Sequence, residues 1–261
     1  MSSSGLLLDE RHRLIRKRLL ADGRVLAHEL AHHLGVSEDT VRRDLRDLAA
    51  AGLCRRVYGG ALPVSPADGS LAERQVRAVD AKRSLALAAA RLVEPGTTVF
   101  IDAGSTNVAI AAALDDDRDL TVVTNAPAVA VALAGRRRIE LVLIGGRIDA
   151  RAGGSVGMRA VADARAIRAD RCFLGACGVD AEAGVTAFGF EESLFKQAMI
   201  EGSRTVAVAA TGDKLGTAAP FAIAPIAAIG ELIVGDGADP DQLGACGRRG
   251  VRIIRAEGGA S

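Results

Sequence analysis

From Ala27 to Leu45 the chain reads as two short helices joined by a tight turn. Ala31 is the small residue that steeply crossing helices need at their contact, Gly35 tolerates positive φ in the turn, and Leu34 and Val41 serve as apolar anchors. Ser37 is placed to cap the second helix, which begins near Glu38, and Glu38 and Asp39 suit the positive end of its dipole. Val41, Leu45 and Leu48 recur at steps of four and three, so one face packs inward. Thr40, Arg42, Arg43 and Arg46 fall on the other faces, within reach of a DNA groove or its phosphates. The alternative is an ordinary helical hairpin whose arginines are merely solvated.

Upstream, Leu14, Ile15, Leu19 and Leu20 supply the buried stripe of a first helix that ends at Asp22-Gly23. Downstream, Gly52 to Ala61 alternates between apolar and cationic residues and bends at Gly59-Gly60, as a small hairpin does. Arg55 or Arg56 on that hairpin can touch backbone phosphates, or can simply discourage edge pairing. Residues 1–61 are therefore expected to form one small domain.

From 62 to 81 the pattern breaks into Pro63, Ser65, Pro66, Asp68 and Gly69 followed by mixed charge, a linker running into a helix. Residues 82–261 then alternate apolar β-like runs with Ala-rich helical ones. Strands are predicted at 98–101, 120–124, 139–144, 172–176, 205–209, 232–234 and 251–254. The alternation predicts an α/β domain with a mostly parallel sheet and helices on both faces.

Ligands of open α/β sheets lie at the carboxyl ends of strands, so the loops that leave those ends are the candidate binding segments. After the first strand comes Asp102-Ala103-Gly104-Ser105-Thr106-Asn107, where Gly104 lets backbone approach a ligand and the helix start can hold a phosphate. The alternative is a capped turn whose hydroxyls satisfy only local N–H groups. Thr124-Asn125 and Gly145-Gly146 come after the next two strands. Lysine is scarce, at Lys17, Lys82, Lys196 and Lys214 only; Lys196 and Lys214 fall where an ammonium can meet a phosphate, while Lys82 reads as a helix start.

Charge adds a direction to this picture. Up to Gly60 there are 11 Lys plus Arg against 8 Asp plus Glu, whereas the remainder has 22 against 24, so the basic surplus sits at the N-terminal end. The four histidines also lie there, but no third ligand is spaced to close a metal site, and no metal or cofactor is expected. Cys54, Cys172, Cys177 and Cys246 show no Cys-x-x-Cys spacing, which fits free thiols in a reducing cytoplasm. The longest uncharged runs, 120–135 and 215–230, are broken by Asn125, Pro127, Pro220 and Pro225, so no membrane span is expected.

Residues 10–63 resemble the winged helix-turn-helix of DeoR-type bacterial transcription regulators. The motifs carrying this are Glu10-Arg11, Leu30-Ala31, Val36-Ser37, Thr40 to Leu45, and Arg56 before Gly59-Gly60-Ala61. The resemblance implies that the second helix reads operator DNA through Thr40, Arg42 and Arg43. The larger region is similar to the family's effector domain at Asp102 to Thr106, Val123 to Asn125, Gly145-Gly146, Asp170 to Gly175, Gly184 to Thr186, Lys196 to Ile200 and Lys214 to Gly216. That likeness implies a fold similar to ribose-5-phosphate isomerase and a site for a phosphorylated sugar or polyol. Thr211 stands where many members carry Asp, with an acid at Asp213 instead, which leaves the accepted ligand open.

Asp102, Glu191 or Glu192, with Lys196 or Lys214, also supply the residue types of a sugar-phosphate isomerase. A stand-alone isomerase has no use for a DNA-binding module, so no catalytic residue is assigned. A structural or interaction module with a vestigial pocket is a third reading. The expectation is a repressor of a carbohydrate-catabolism operon, working as a homo-oligomer, dimer or higher, with the linker carrying the effector's signal.

Overall fold

The computed structural model describes residues 7–22, 25–51, 53–57, 59–63, 69–116 and 118–257. The chain divides into two compact units, Met1–Ser65 and Pro66–Ser261. Gly23, Gly52 and Tyr58, at the predicted helix end and hairpin, and 64–68 of the linker lie outside the described residues.

The first unit runs α1 (Leu8–Asp22), β1 (Val25–Leu26), α2 (Ala27–Leu34), α3 (Glu38–Ala50), β2 (Cys54–Val57) and β3 (Gly60–Pro63). Gly35 ends α2 in the left-handed region at φ 65°, the conformation that lets α3 turn sharply away. Ile15, Leu19, Leu30, Ala31, Val41, Leu45 and Leu48 close one core. Two sequence expectations need correction here. Leu14 is exposed, because it lies about 100° from Ile15 around the helix and only one of the two can face inward. Leu34 is only partly buried, and Leu30 one turn earlier provides the buried anchor of α2. The hairpin is present as β2 and β3, antiparallel, with β1 added on the far side of β3. Gly60 permits that addition, since a Cβ there would lie 1.9 Å from the Val25 carbonyl oxygen.

The second unit opens with α4 (Leu71–Gln75) and α5 (Val79–Ala90), then β4 (Thr98–Ile101), α6 (Ser105–Ala113), β5 (Leu120–Thr124), α7 (Pro127–Leu133) and β6 (Ile139–Leu143). It continues with β7 (Arg147–Asp149), β8 (Gly154–Val156), α8 (Met158–Arg165), β9 (Ala169–Leu174), β10 (Gly178–Asp180), β11 (Gly184–Ala187), α9 (Phe190–Glu201) and β12 (Ser203–Ala210). β13 (Phe221–Ala224), β14 (Glu231–Val234), α10 (Pro240–Gly247) and β15 (Arg252–Arg255) complete it.

The seven strands foreseen from the sequence form one sheet in the order β15-β14-β12-β9-β4-β5-β6, parallel throughout. Alternate side chains of the inner strands enter different cores, as the two-residue period requires. Val206, Val208 and Ala210 face the core under α8 and α9, while Ala207 and Ala209 join the one beneath α5, α6 and α7. Two smaller sheets, β7-β8 and β10-β11-β13, are antiparallel additions beyond the parallel sheet. α5 already begins at Val79, so Lys82 does not start a helix: it lies buried in the first turn and donates to the carbonyls of Arg74 and Arg77.

Candidate functional sites

In the first unit, α3 buries Val41, Asp44, Leu45 and Leu48 and exposes Arg42, Arg43 and Arg46. Ser37 caps it: the Thr40 N–H donates to Ser37 Oγ at 3.2 Å, and the two hydroxyls lie 2.9 Å apart. Arg42 is drawn back onto its own helix by Glu38 at 2.8 Å, with Asp39 at 3.7 Å. Arg43, Arg46 and Arg56 are exposed and make no ion pair among the described residues. Asp44 is the residue that sequence reasoning left without a role. It is buried and accepts from Arg11 Nε at 2.6 Å and Nη2 at 2.8 Å, with His12 Nε2 at 3.4 Å from its second oxygen. A bidentate bond of this kind fixes α3 against α1 and presents the arginine face rigidly.

In the second unit, β4, β9 and β12 end side by side, and a small, partly open cleft lies at their carboxyl ends. Gly104, Ser105, Thr106, Asn107, Lys196 and Lys214 line it, joined by Arg74 and Cys177. No side chain caps α6, and among the described residues the Ser105 and Thr106 hydroxyls make no hydrogen bond. The capped-turn alternative therefore lacks its defining contacts. Asn107 is committed locally: its amide donates to the carbonyls of Asp102 and Phe173, both at 3.0 Å.

Asp102 lies beneath the cleft, 1% exposed, and does not line it. It accepts from the Ala103 N–H at 2.7 Å, the Gly175 N–H at 2.8 Å and Lys196 Nζ at 2.5 Å. Lys196 Nζ also meets Glu192 Oε1 at 3.2 Å and donates to the Gly175 carbonyl at 2.7 Å. Gly175 is required where it stands, since a Cβ would come within 2.5 Å of the Ala103 carbonyl oxygen and 2.8 Å of Asp102 Oδ2. Burial pulls the Lys196 ammonium downward, but Asp102 and Glu192 together outweigh it, and the net direction is up. Lys196 thus stays charged between two carboxylates. Asp102, closed in by three donors and away from the cleft, is badly placed to abstract a proton from a ligand.

Lys214 is held differently. Its Nζ donates to the Ala176 carbonyl at 2.8 Å, and burial first, with Arg74 and Lys196 adding to it, pushes its pKa down to about 8. Burial, with Glu192, pushes the Cys177 thiol up, so it stays protonated. Thr211 and Asp213 do not line the cleft.

The remaining strand-end residues do not reach the cleft. Thr124 Oγ1 accepts from the Ala126 N–H at 3.0 Å, and Asn125 fastens β8 by donating to the Ser155 carbonyl at 3.0 Å and accepting the Ser155 N–H at 2.8 Å. Gly145 and Gly146 are exposed at the entry to β7; Gly146 adopts φ 149°. Their arrangement builds the ribbon that brings Ala152 to the cleft wall.

A winged helix-turn-helix with a free cationic face, followed by an α/β unit with a polar cleft, defines a two-part transcription regulator. Family models agree in both halves: the DeoR-like helix-turn-helix domain matches residues 11–67 and the DeoR C terminal sensor domain matches 77–236. The chain belongs to the DeoR family. It is 34% identical over 208 residues to the glycerol-3-phosphate regulon repressor of Escherichia coli K12, covering 79% of this chain and 82% of that protein. It is 31% identical over 249 residues to the HTH-type transcriptional regulator GlpR of Haloferax volcanii, covering 94% and 96%. Among solved structures, ribose 5-phosphate isomerase A of Methanocaldococcus jannaschii aligns at TM-score 0.38 and 15% identity over 51% of this chain and 52% of its own. Among the described residues no helix is long and apolar enough to cross a membrane.

Proposed function

We propose that this protein is a cytoplasmic repressor of a carbohydrate-catabolism operon, released from its operator by a phosphorylated sugar or polyol, and that it is not an enzyme. The observation that carries the effector half is the uncapped start of α6, with the Ser105 and Thr106 hydroxyls unbonded at the floor of a cleft lined by cations. Free N–H groups at a helix start, hydroxyls and ammonium groups are the donors a phosphate needs. Arg43 and Arg46 on α3, with Arg56 on the hairpin, meet the DNA, and Ser37 and Thr40 fix the start of the reading helix. A homo-oligomer presents two such helices to half-sites about one helical turn apart or a multiple of it.

Release requires that the effector bind the DNA-incompetent arrangement more tightly than the competent one, because equal affinity shifts nothing. The test is a mobility shift with the gene's own upstream DNA at fixed salt, titrating sugar phosphates. The name of the E. coli relative makes glycerol 3-phosphate the first compound to try. Release by one compound supports the reading, and specific binding that no compound alters removes the effector half of it.

A further inference from the structure

The three cations around the cleft are not equivalent. Lys196 is neutralised by Asp102 and Glu192. Arg74 and Lys214 make no ion pair among the described residues, and their hydrogen bonds go to backbone carbonyls alone. Arg74 is 8% exposed and lines the cleft. One of its guanidinium nitrogens, Nη2, is taken up by the carbonyls of Arg151, at 2.5 Å, and Ala152, at 3.4 Å, while Nε is buried with no hydrogen-bond partner. Burying a cation without a counter-charge, or a donor without an acceptor, is costly. A buried cation of this kind on the cleft, with the partly buried Lys214 beside it, is what an anionic ligand would complete.

We infer that Arg74 is the principal anion-binding side chain of the cleft, its guanidinium donating to the ligand's phosphate with Lys214 as the second cation, and that Lys196 is a positioning residue. The inference rests on the reading of the cleft as a site for a phosphorylated effector. It also gives α4 a part in regulation. Arg74 belongs to the first helix after the Ser65–Pro66 boundary, and Lys82 Nζ holds the Arg74 carbonyl from below. An anion on the guanidinium therefore ties α4 to the strand-end loops of the cleft.

The test uses the full chain, with inorganic phosphate and glycerol 3-phosphate as probes in titration calorimetry. Arg74→Lys keeps the charge and a donor for the Arg151 carbonyl but loses the guanidinium fork; Arg74→Gln loses the charge. Both are expected to weaken the two probes at least about tenfold, as loss of a hydrogen bond to a charged group does, with an unchanged melting temperature for Arg74→Lys. In the wild type, amide exchange across Leu71–Gln75 should slow when glycerol 3-phosphate binds. Variants that bind both probes like the wild type, or exchange in α4 that the ligand leaves unchanged, overturn the role of Arg74 and leave the effector reading standing. A wild-type chain that binds neither phosphate overturns both.

Discussion

Arg11 grips Asp44 with two parallel hydrogen bonds, Nε at 2.6 Å and Nη2 at 2.8 Å, and so locks α1 to α3. Asp44 is 1% exposed, which makes the loss of its partner expensive. Arg11→Ala is expected to destabilise the first unit by about 3 kcal/mol, since breaking a buried pair strands the other charge. Arg11→Met combined with Asp44→Leu should cost clearly less than the sum of the two single changes. A double-mutant cycle by chemical denaturation checks this, and strict additivity would show that the pair carries no coupling.

On the exposed face of α3 the three arginines should separate. Arg43 and Arg46 are unpaired among the described residues, whereas Arg42 is tied to Glu38 at 2.8 Å. Arg43→Ala and Arg46→Ala are each expected to weaken operator binding and to lower the slope of log K against log salt by about 0.9, the value for one lost phosphate contact. Arg42→Ala should do less on both counts. Equal effects from all three would mean that DNA pulls Arg42 off Glu38.

Much of this was legible in the sequence because it is local or periodic. The helix-turn-helix declares itself within a few residues through Gly35, Ser37 and the step from Val41 to Leu45, and inner strands of the parallel sheet such as β4, β5 and β14 are largely apolar runs buried on both faces. The cleft is legible only in part. Ser105 and Thr106 stand out as a loop before a helix, but Asp102 and Lys196 meet across 94 residues of chain, and no spacing rule pairs them. Glu191 and Glu192 were indistinguishable until the helix placed Glu192 one turn before Lys196 and sent Glu191 to Arg147. Arg74 gave no signal at all. Its position depends on carbonyls of Arg151 and Ala152, supplied by a ribbon whose three-residue strands are too short for alternation to show.

Effector affinity should depend on pH through Lys214. Its pKa lies at about 8, lowered by burial and by Arg74 and Lys196, with Asp213 opposing and the Cys177 thiol beside it. A phosphate ester is already doubly ionised above about pH 7, so in the next two units the lysine is the group that changes. An anion prefers the ammonium form, hence affinity should be full below pH 8 and fall as pH rises through it. Calorimetry at pH 8 in buffers of different ionisation enthalpy should show proton uptake on binding. Affinity that stays flat to pH 9.5, with no uptake, would take Lys214 out of the site.

The two cleft lysines should respond to the same substitution in opposite directions. Lys196→Met leaves Asp102 buried without its cation and Glu192 unneutralised beside it, so the sensor unit is expected to lose about 3–5 kcal/mol. Lys214 has the reverse sign. A lysine whose pKa falls from 10.5 to about 8 on folding opposes folding, fully below pH 8 and progressively less as pH rises toward 10.5. Lys214→Met should therefore raise the melting temperature at pH 7, raise it less at pH 10, and abolish the response to sugar phosphates. Melting curves of the full chain, read for the sensor unit's own transition, separate the cases. A stabilised Lys196→Met or a destabilised Lys214→Met would reverse the assignment of which lysine holds the fold and which awaits the ligand.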